Sequence, residues 1–296
     1  MPISETQLET WSRQGTITQS ADTYATIRRA LQDDKAPYAG KNYEIFLQGS
    51  YCNDTNVYAD SDVDVIINTN SIYYHDASAL TPEELALFNA TWSSASYTSN
   101  DFKRDVFTHL DSRYPLKVTS SNKAIYIKAD GARRETDVVP CAQFRRYNRY
   151  RSALDYSFVE GITFWTSGGV QIVNYPKQHA ENCTRKHQAT SQWFKPTVRI
   201  LKNMRNSMIS KGYIVNGIGP SYFLEGMLYN VPNSLFGKSY QETVVNAINW
   251  VINCPDRSKL VCANNEYYLL HESSPVTWRA ENLQKYLDAV LSFWNA

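Results

Sequence analysis

Apolar residues recur at roughly helical spacing through the first 34 positions, at Leu8, Trp11, Ile17, Tyr24, Ile27 and Leu31. The interruption at Gly15-Thr16 predicts a kinked or paired N-terminal helix, and Pro37 and Gly40 end it. From Tyr43 to Gln48 the pattern condenses into an apolar run that reads as a buried strand stopping at Gly49-Ser50. A second strand is expected over 62–68. Thr81-Pro82-Glu83-Glu84 combines an N-cap residue, a proline at the first helical position and a capping-box glutamate, so a helix starts there. Another covers 100–113. Short β-rich runs follow at 123–128, 133–139, 144–151, 162–166 and 170–173, with the hairpin signal Ser167-Gly168-Gly169 between the last two. Beyond Pro176 helical spacing takes over, at 177–210, from Pro220, at 239–252 and at 279–295. The order is helix, mixed α/β core, helical bundle. This is an α+β chain of two lobes, 1–175 and 176–296, with no internal repeat and no Gly/Ser linker between them.

Composition narrows the setting. With 296 residues, 43% of them hydrophobic, the chain can bury a sizeable core. No apolar stretch approaches bilayer length, and the first residues lack the basic region and apolar core of a signal peptide, so neither a membrane nor secretion is expected. The five cysteines (Cys52, Cys141, Cys183, Cys254, Cys262) are odd in number and unpaired in spacing, which argues against a disulfide framework or a zinc knuckle and for a reducing cytoplasm. Thirty basic against 29 acidic side chains give a net charge of +1, which argues against a broad basic surface for long nucleic acid. Tyrosine is the outlier, with 21 copies that either pack in the core or offer stacking platforms for bases.

The chemistry concentrates around Gln48-Gly49-Ser50 and Asp62-Val63-Asp64-Val65-Ile66-Ile67. Residues two apart in a strand share a face, so Asp62 and Asp64 project together while Val63 and Val65 face the core. Carboxylates that close repel unless a cation lies between them, and oxygen ligands suit Mg²⁺ or Mn²⁺ rather than zinc. A solvated strand edge would give the same two residues. Gly49 lets the backbone approach a ligand, and Ser50 with free N–H groups can hold a phosphate; an ordinary turn uses the same pair. Asp137, in Arg134-Glu135-Thr136-Asp137-Val138-Val139-Pro140, adds a third acid on an apolar strand, where it needs a metal or a salt bridge to Arg133 or Arg134. Together these features form a two-metal phosphoryl-transfer constellation.

Further along, Phe194-Lys195-x-x-Val198-Arg199-x-Leu201-Lys202 puts Lys195, Arg199 and Lys202 on one side of a helix and its apolar residues on another. Pro220-Ser221-Tyr222-Phe223-Leu224-Glu225 opens a helix whose N-terminal turn favours anions. Each has an ordinary counterpart, a solvated basic face and a helix start with a buried tyrosine. Asn174, between core and bundle, can read a base edge or serve the turn before Pro176. His179, Cys183 and His187 stand four apart on a helix, the outer two about 12 Å apart, too far for one ion. They read as ordinary helix-face residues. The arginines at 133, 134, 145, 146, 149 and 151 read as alternating exposed strand positions before a docking surface.

Gly49-Ser50, Asp62-x-Asp64, Asp137 and the two downstream motifs resemble the polymerase-β-like nucleotidyltransferases, and within them the bacterial cGAS/DncV-like group (CD-NTases), over essentially the whole chain. The resemblance implies a polymerase-β-like nucleotidyltransferase core, a mixed sheet with flanking helices, plus a C-terminal helical bundle that closes an NTP cleft, with an N-terminal helix joining the lobes. It implies that Asp62 and Asp64 bridge two Mg²⁺ (or Mn²⁺) ions, while Asp137 holds the ion that activates the nucleophile and helps take its proton. It also implies Gln48, Gly49, Ser50, Lys202 and Ser221 at the phosphates, Tyr222 stacked on the donor base and Asn174 as a nucleotide contact. The implied activity is condensation of NTPs into a cyclic di- or trinucleotide, with release of pyrophosphate, for CBASS anti-phage signalling through a separate effector. A monomer with no membrane and no stable DNA partner is expected. A template-independent transferase acting on RNA or protein, and a catalytically silent nucleotide sensor, are the alternative readings. The three intact carboxylates oppose the second of these.

Overall fold

The computed structural model describes residues 2–15, 17–58, 62–91, 93 and 95–296. They form two compact units, one of 18–48 and 61–175, the other of 1–17, 49–60 and 176–296. One edge between the units falls after Tyr175. A single cut does not capture the division, however, because 1–17 and 49–60 group with the C-terminal helices.

The first unit is built on a seven-stranded mixed sheet. Its strands are β1 (Tyr43–Leu47), β2 (Val63–Asp76), β3 (Val118–Ser120), β4 (Ile125–Ile127), β5 (Thr136–Ser152), β6 (Asp155–Trp165) and β7 (Gln171–Asn174). The order is β1-β2-β5-β4-β3, with β6 paired to β5 and β7 to β6. Only β2 and β5 run parallel among these pairs. Val63, Val65 and Ile67 on β2 alternate inward and are fully buried, as the period of two requires. The unit also carries helices α2 (Thr18–Leu31), α4 (Pro82–Thr91) and α5 (Ser99–Arg113), α1 and α3 belonging to the other unit. The start of α4 matches its sequence signal: the Glu84 amide donates to Thr81 Oγ1 at 3.3 Å, and the Thr81 amide donates to the Glu84 carboxylate at 3.2 Å. Two expected strands, 133–139 and 144–151, are one continuous β5 that runs through Pro140. The proline is tolerated because β4 pairs with β5 only as far as Val138 and β6 begins at Ala142, so no neighbour on that edge asks for the missing N–H.

The second unit holds α1 (Glu5–Ser12), the one-turn α3 (Gly49–Cys52), α6 (Pro176–Ala189), α7 (Phe194–Ser210), α8 (Ser221–Asn230), α9 (Tyr240–Ile252) and α10 (Ala280–Asn295). Leu8, Val198, Leu201, Leu224, Ile248 and Leu287 share its core, so the apolar faces of five of these helices meet. The run at 177–210 is two helices, α6 and α7, separated by Ser191 and Gln192 at positive φ. Glu5 anchors α1 by accepting the amides of Tyr240 and Gln241 at the start of α9, at 2.6 and 2.8 Å, where the helix dipole also favours a negative charge. Thr16, part of the expected helix break, lies outside the described residues. Gly15 next to it has no room for a side chain: an added Cβ would lie 2.8 Å from the Val57 carbonyl group. With Gly15 N–H on Asn56 O and Gln14 on the Asn56 side chain, this contact ties 49–60 to the N-terminal segment.

Candidate active site

Asp62 is exposed directly before β2, and Asp64 is half-buried on the face opposite Val63 and Val65. On the parallel neighbour, Asp137 stands opposite Asp64 residue for residue, so strand spacing puts their Cα atoms about 5 Å apart. The register continues onto β4, where Tyr126 stands opposite Asp137. Burial, and then the charges of Asp62 and Glu135, push the Asp137 carboxyl above its ordinary value. The Tyr126 hydroxyl is pushed up to about 12, first by its hydrogen bond to Glu135, then by desolvation and by the charges of Glu135, Asp62 and Asp137. Among the described residues, the charges that shift Asp137, those of Asp62 and Glu135, have its own sign. Arg133 instead donates to the Lys128 carbonyl and lies over the Tyr114 ring, while Arg134 donates to Gln19. An oxygen-only donor set under mutual repulsion fits a hard divalent cation and does not suit zinc.

Gln48 directly follows the preceding strand β1, and its amide donates to the Asp64 carbonyl at 3.0 Å. Its side-chain carbonyl is buried without a hydrogen-bond partner among the described residues. The expected open turn at Gly49-Ser50 is the first half of α3. Gly49 enters it at φ +71°, a left-handed conformation that glycine adopts without strain. Its carbonyl accepts the Asn53 amide, and that of Ser50 accepts the Thr55 amide.

The basic stripe of α7 meets the next three residues. Lys195 Nζ pairs with Asp54 at 2.8 Å, Arg199 donates to the carbonyls of Asp54 and Ser12 at 2.6 and 2.5 Å, and Lys202 Nζ donates to the Thr55 carbonyl at 2.9 Å. The solvated basic face is therefore not what forms. Lys195 and Lys202 are buried, and all three cations hold the segment that follows α3. Lys202, which the resemblance implies at the triphosphate, touches the backbone of Thr55 here.

On α8, Pro220 is the N-cap rather than the first helical residue. Its carbonyl takes the amides of Phe223 and Leu224, which leaves those of Ser221 and Tyr222 as the first-turn donors. Ser221 Oγ accepts from Arg205 at 3.1 Å, a neighbour that no spacing rule points to. The half-buried Tyr222 ring stacks on His179 at 4.8 Å and 22°, and its hydroxyl accepts from Asn264 at 2.9 Å.

His179 and Cys183 are not ordinary helix-face residues. Both are buried, and the third group beside them is Glu225, not His187. Ligand atoms of the three lie within 4.8 Å of one another. His179 Nε2 sits 2.6 Å from Glu225, a hydrogen bond, whereas two ligands of one tetrahedral zinc stand about 3.3 Å apart. Both carboxylate oxygens also accept other donors, Asn53 at 2.9 Å and Thr55 at 2.5 Å, and burial pushes the Cys183 thiol up. Burial pushes Glu225 up as well, but His179, Thr55 and Lys202 outweigh it and hold the carboxyl below its ordinary value. This is a hydrogen-bonded carboxylate.

Asn174 ends β7, and its side-chain oxygen accepts the Tyr175 amide at 2.9 Å, which is the turn role. The arginine group is largely spent on neighbours: Arg145 lies 3.9 Å from the Tyr73 ring centroid, Arg146 over Tyr175, and Arg149 and Arg151 on Asp155. Several tyrosines serve packing, as in the clustered Tyr147, Tyr150, Tyr156 and Phe158 rings of the β5–β6 hairpin. The five cysteines are free. Among the described residues no helix is long and apolar enough to cross a membrane. Tyr126 and Glu135 beside Asp137 in the sheet unit, and Asn53, Thr55 and Glu225 within the helical unit, are residues that sequence reasoning passes over, although Glu225 closes a motif it singles out.

Residues 181–295 match the family model of the cGAS/DncV-like nucleotidyltransferase C-terminal helical domain. The cyclic UMP-AMP synthase of Rhodothermus marinus is 40% identical over 296 residues, covering 99% of this chain and 98% of the relative. The cyclic nucleotide synthase CdnE01 of Staphylococcus haemolyticus is 33% identical over 300 residues, covering 100% and 99%. A solved structure of the Rhodothermus marinus CdnE c-UMP-AMP synthase with Apcpp and Upnpp superposes with a TM-score of 0.88 at 39% identity, covering 99% and 97%. Likeness of this extent, over a sheet that pairs Asp64 with Asp137, identifies the chain as a member of the cGAS/DncV-like nucleotidyltransferases.

Proposed function

We propose that this protein joins NTPs into a cyclic dinucleotide with release of pyrophosphate, as the second messenger of a CBASS anti-phage system. The observation that carries the reading is the in-register pair Asp64 and Asp137 on β2 and β5, with Asp62 two residues upstream and the Asp137 carboxyl raised by burial and like charge. Asp62, Asp64 and Asp137 would hold the divalent cations. When bound, such ions neutralise triphosphate charge and promote attack of a ribose hydroxyl on the α-phosphate. Asp137 takes the proton of that hydroxyl. Tyr126 and Glu135 set the charge and hydrogen bonding around Asp137. Gly49 and Ser50, with the first-turn amides and hydroxyl of Ser221, bind phosphate oxygens, and Tyr222 stacks a base on the ring face away from His179. That the Rhodothermus marinus relative is a cyclic UMP-AMP synthase supports a dinucleotide product.

Asp62→Asn combined with Asp64→Asn tests the reading. Product formation should vanish while circular dichroism and binding of a non-hydrolysable NTP without metal stay unchanged. Undiminished NTP turnover in that variant would sink the assignment.

A further inference from the structure

Each of the three residues that follow α3 is gripped by side chains of the helical unit. Asn53 Nδ2 donates to Glu225 at 2.9 Å, Asp54 is held by Lys195 and Arg199, and Thr55 is held at its hydroxyl by Glu225 and at its carbonyl by Lys202. The grip reaches the turn itself, because the amides of Asn53 and Thr55 bond the carbonyls of Gly49 and Ser50. Glu225 also accepts from His179 Nε2 at 2.6 Å, and the other face of this contact is the His179 ring stacked on Tyr222. Glu225 is only 3% exposed. A buried carboxylate is costly unless donors surround it, and here three meet it: an amide, a hydroxyl and a ring N–H. The number and kind of donors therefore favour an ionised acid at this position, whereas glutamine offers one neutral acceptor oxygen and keeps the Thr55 contact only by turning that hydroxyl from donor to acceptor.

We infer that Glu225 is a positioning residue for nucleotide binding: through Asn53 and Thr55 it sets the Gly49-Ser50 turn, and through His179 it sets the Tyr222 ring. It touches no reacting atom. One carboxylate thus couples the phosphate contact to the base contact. The inference rests on the assignment of Gly49, Ser50 and Tyr222 as nucleotide contacts.

The test measures binding of a non-hydrolysable ATP analogue with Mg²⁺ by calorimetry, together with KM and kcat for NTPs, in Glu225→Gln, Thr55→Val and Thr55→Ser. Thr55→Val keeps the shape and removes one donor to the carboxylate, and Thr55→Ser keeps the donor. Glu225→Gln and Thr55→Val should each raise Kd and KM about 10-fold, the worth of roughly one hydrogen bond, with a smaller change in kcat. Thr55→Ser should bind within about 3-fold of the unaltered protein. Combining Glu225→Gln with Thr55→Val should cost little beyond Glu225→Gln alone, because both act on one contact. Should Glu225→Gln fail to fold, the Thr55 pair decides. A Thr55→Val protein that loses its fold, or one that folds and binds like the unaltered protein, overturns the inference. If the unaltered protein itself binds no NTP analogue, the nucleotide reading fails instead.

Discussion

Replacing Asp137 by Asn should make the cation-free protein more stable while removing its response to divalent cations. Asp137 lies opposite Asp64 on the parallel pair, about 5 Å away at Cα, and near the charges of Asp62 and Glu135. Two unit charges about 5 Å apart repel by about 3 kcal/mol at an effective dielectric constant near 20, an upper bound for like charges around Asp137. Asp62 is exposed and Asp64 half-buried, so solvent reduces the recoverable part to about 1–2 kcal/mol. At about 2–4 °C per kcal/mol for a chain of this size class, Asp137→Asn should melt about 2–8 °C higher in EDTA. The pH dependence has a definite sign. A carboxyl whose pKa is raised by folding carries no penalty below its unfolded value near 3.9; the penalty grows as pH rises from there and is complete once pH has passed the raised value. The advantage of Asn should therefore be lost as pH falls below about 4 and should grow as pH rises toward neutrality. Mg²⁺ at ten times its dissociation constant should stabilise the unaltered protein by about 1.4 kcal/mol, and the variant far less. Differential scanning calorimetry in EDTA and in MgCl₂ measures both. A variant that melts lower in EDTA, or that keeps the full Mg²⁺ shift, would refute the claim that these carboxylates form a strained cation site.

Three further outcomes follow from the geometry. Gly49→Ala forces a side chain into φ +71°, a cost of about 1–2 kcal/mol, and should lower both the melting temperature and NTP turnover with the circular dichroism spectrum retained. Tyr222→Ala should weaken binding of all four NTPs alike by about 1–3 kcal/mol in equilibrium binding, and a loss confined to one base would contradict a stacking role. Arg149→Ser with Arg151→Ser removes only exposed pairs with Asp155, so stability should change by less than about 1 kcal/mol and turnover should be unchanged. A tenfold loss of turnover there would restore the docking role for the arginine group.

The carboxylate half of the site is legible from the chain because strand period two is a local rule. Asp62, Val63, Asp64 and Val65 declare their faces without knowledge of any neighbour. That Asp137 pairs with Asp64, and that Tyr126 joins them, depends on sheet register, which no local pattern carries. The basic stripe of α7 shows the same limit. Its i, i+4, i+7 spacing reports correctly that Lys195, Arg199 and Lys202 share a side, but the partner of that side is a three-residue segment some 140 positions earlier. Burial of Lys202 and Glu225 is invisible for the same reason: their partners at Asn53 and Thr55 are polar loop residues with no periodicity. Pro140 misleads in the opposite sense. It breaks a strand by propensity, yet the gap between β4 and β6 removes the demand it cannot meet. The helix starts at Thr81 and Ser239 are well marked because capping is settled within one turn.

Incubation of the purified protein with all four labelled NTPs and Mg²⁺, followed by phosphatase treatment and mass spectrometry of what survives, tests the central claim most directly. The expected product is phosphatase-resistant, with the mass of two nucleoside monophosphates joined in a ring and one pyrophosphate released per bond, and none of it forms with Asp62→Asn combined with Asp64→Asn. Label recovered in RNA or on protein, or a product fully consumed by phosphatase, would contradict it.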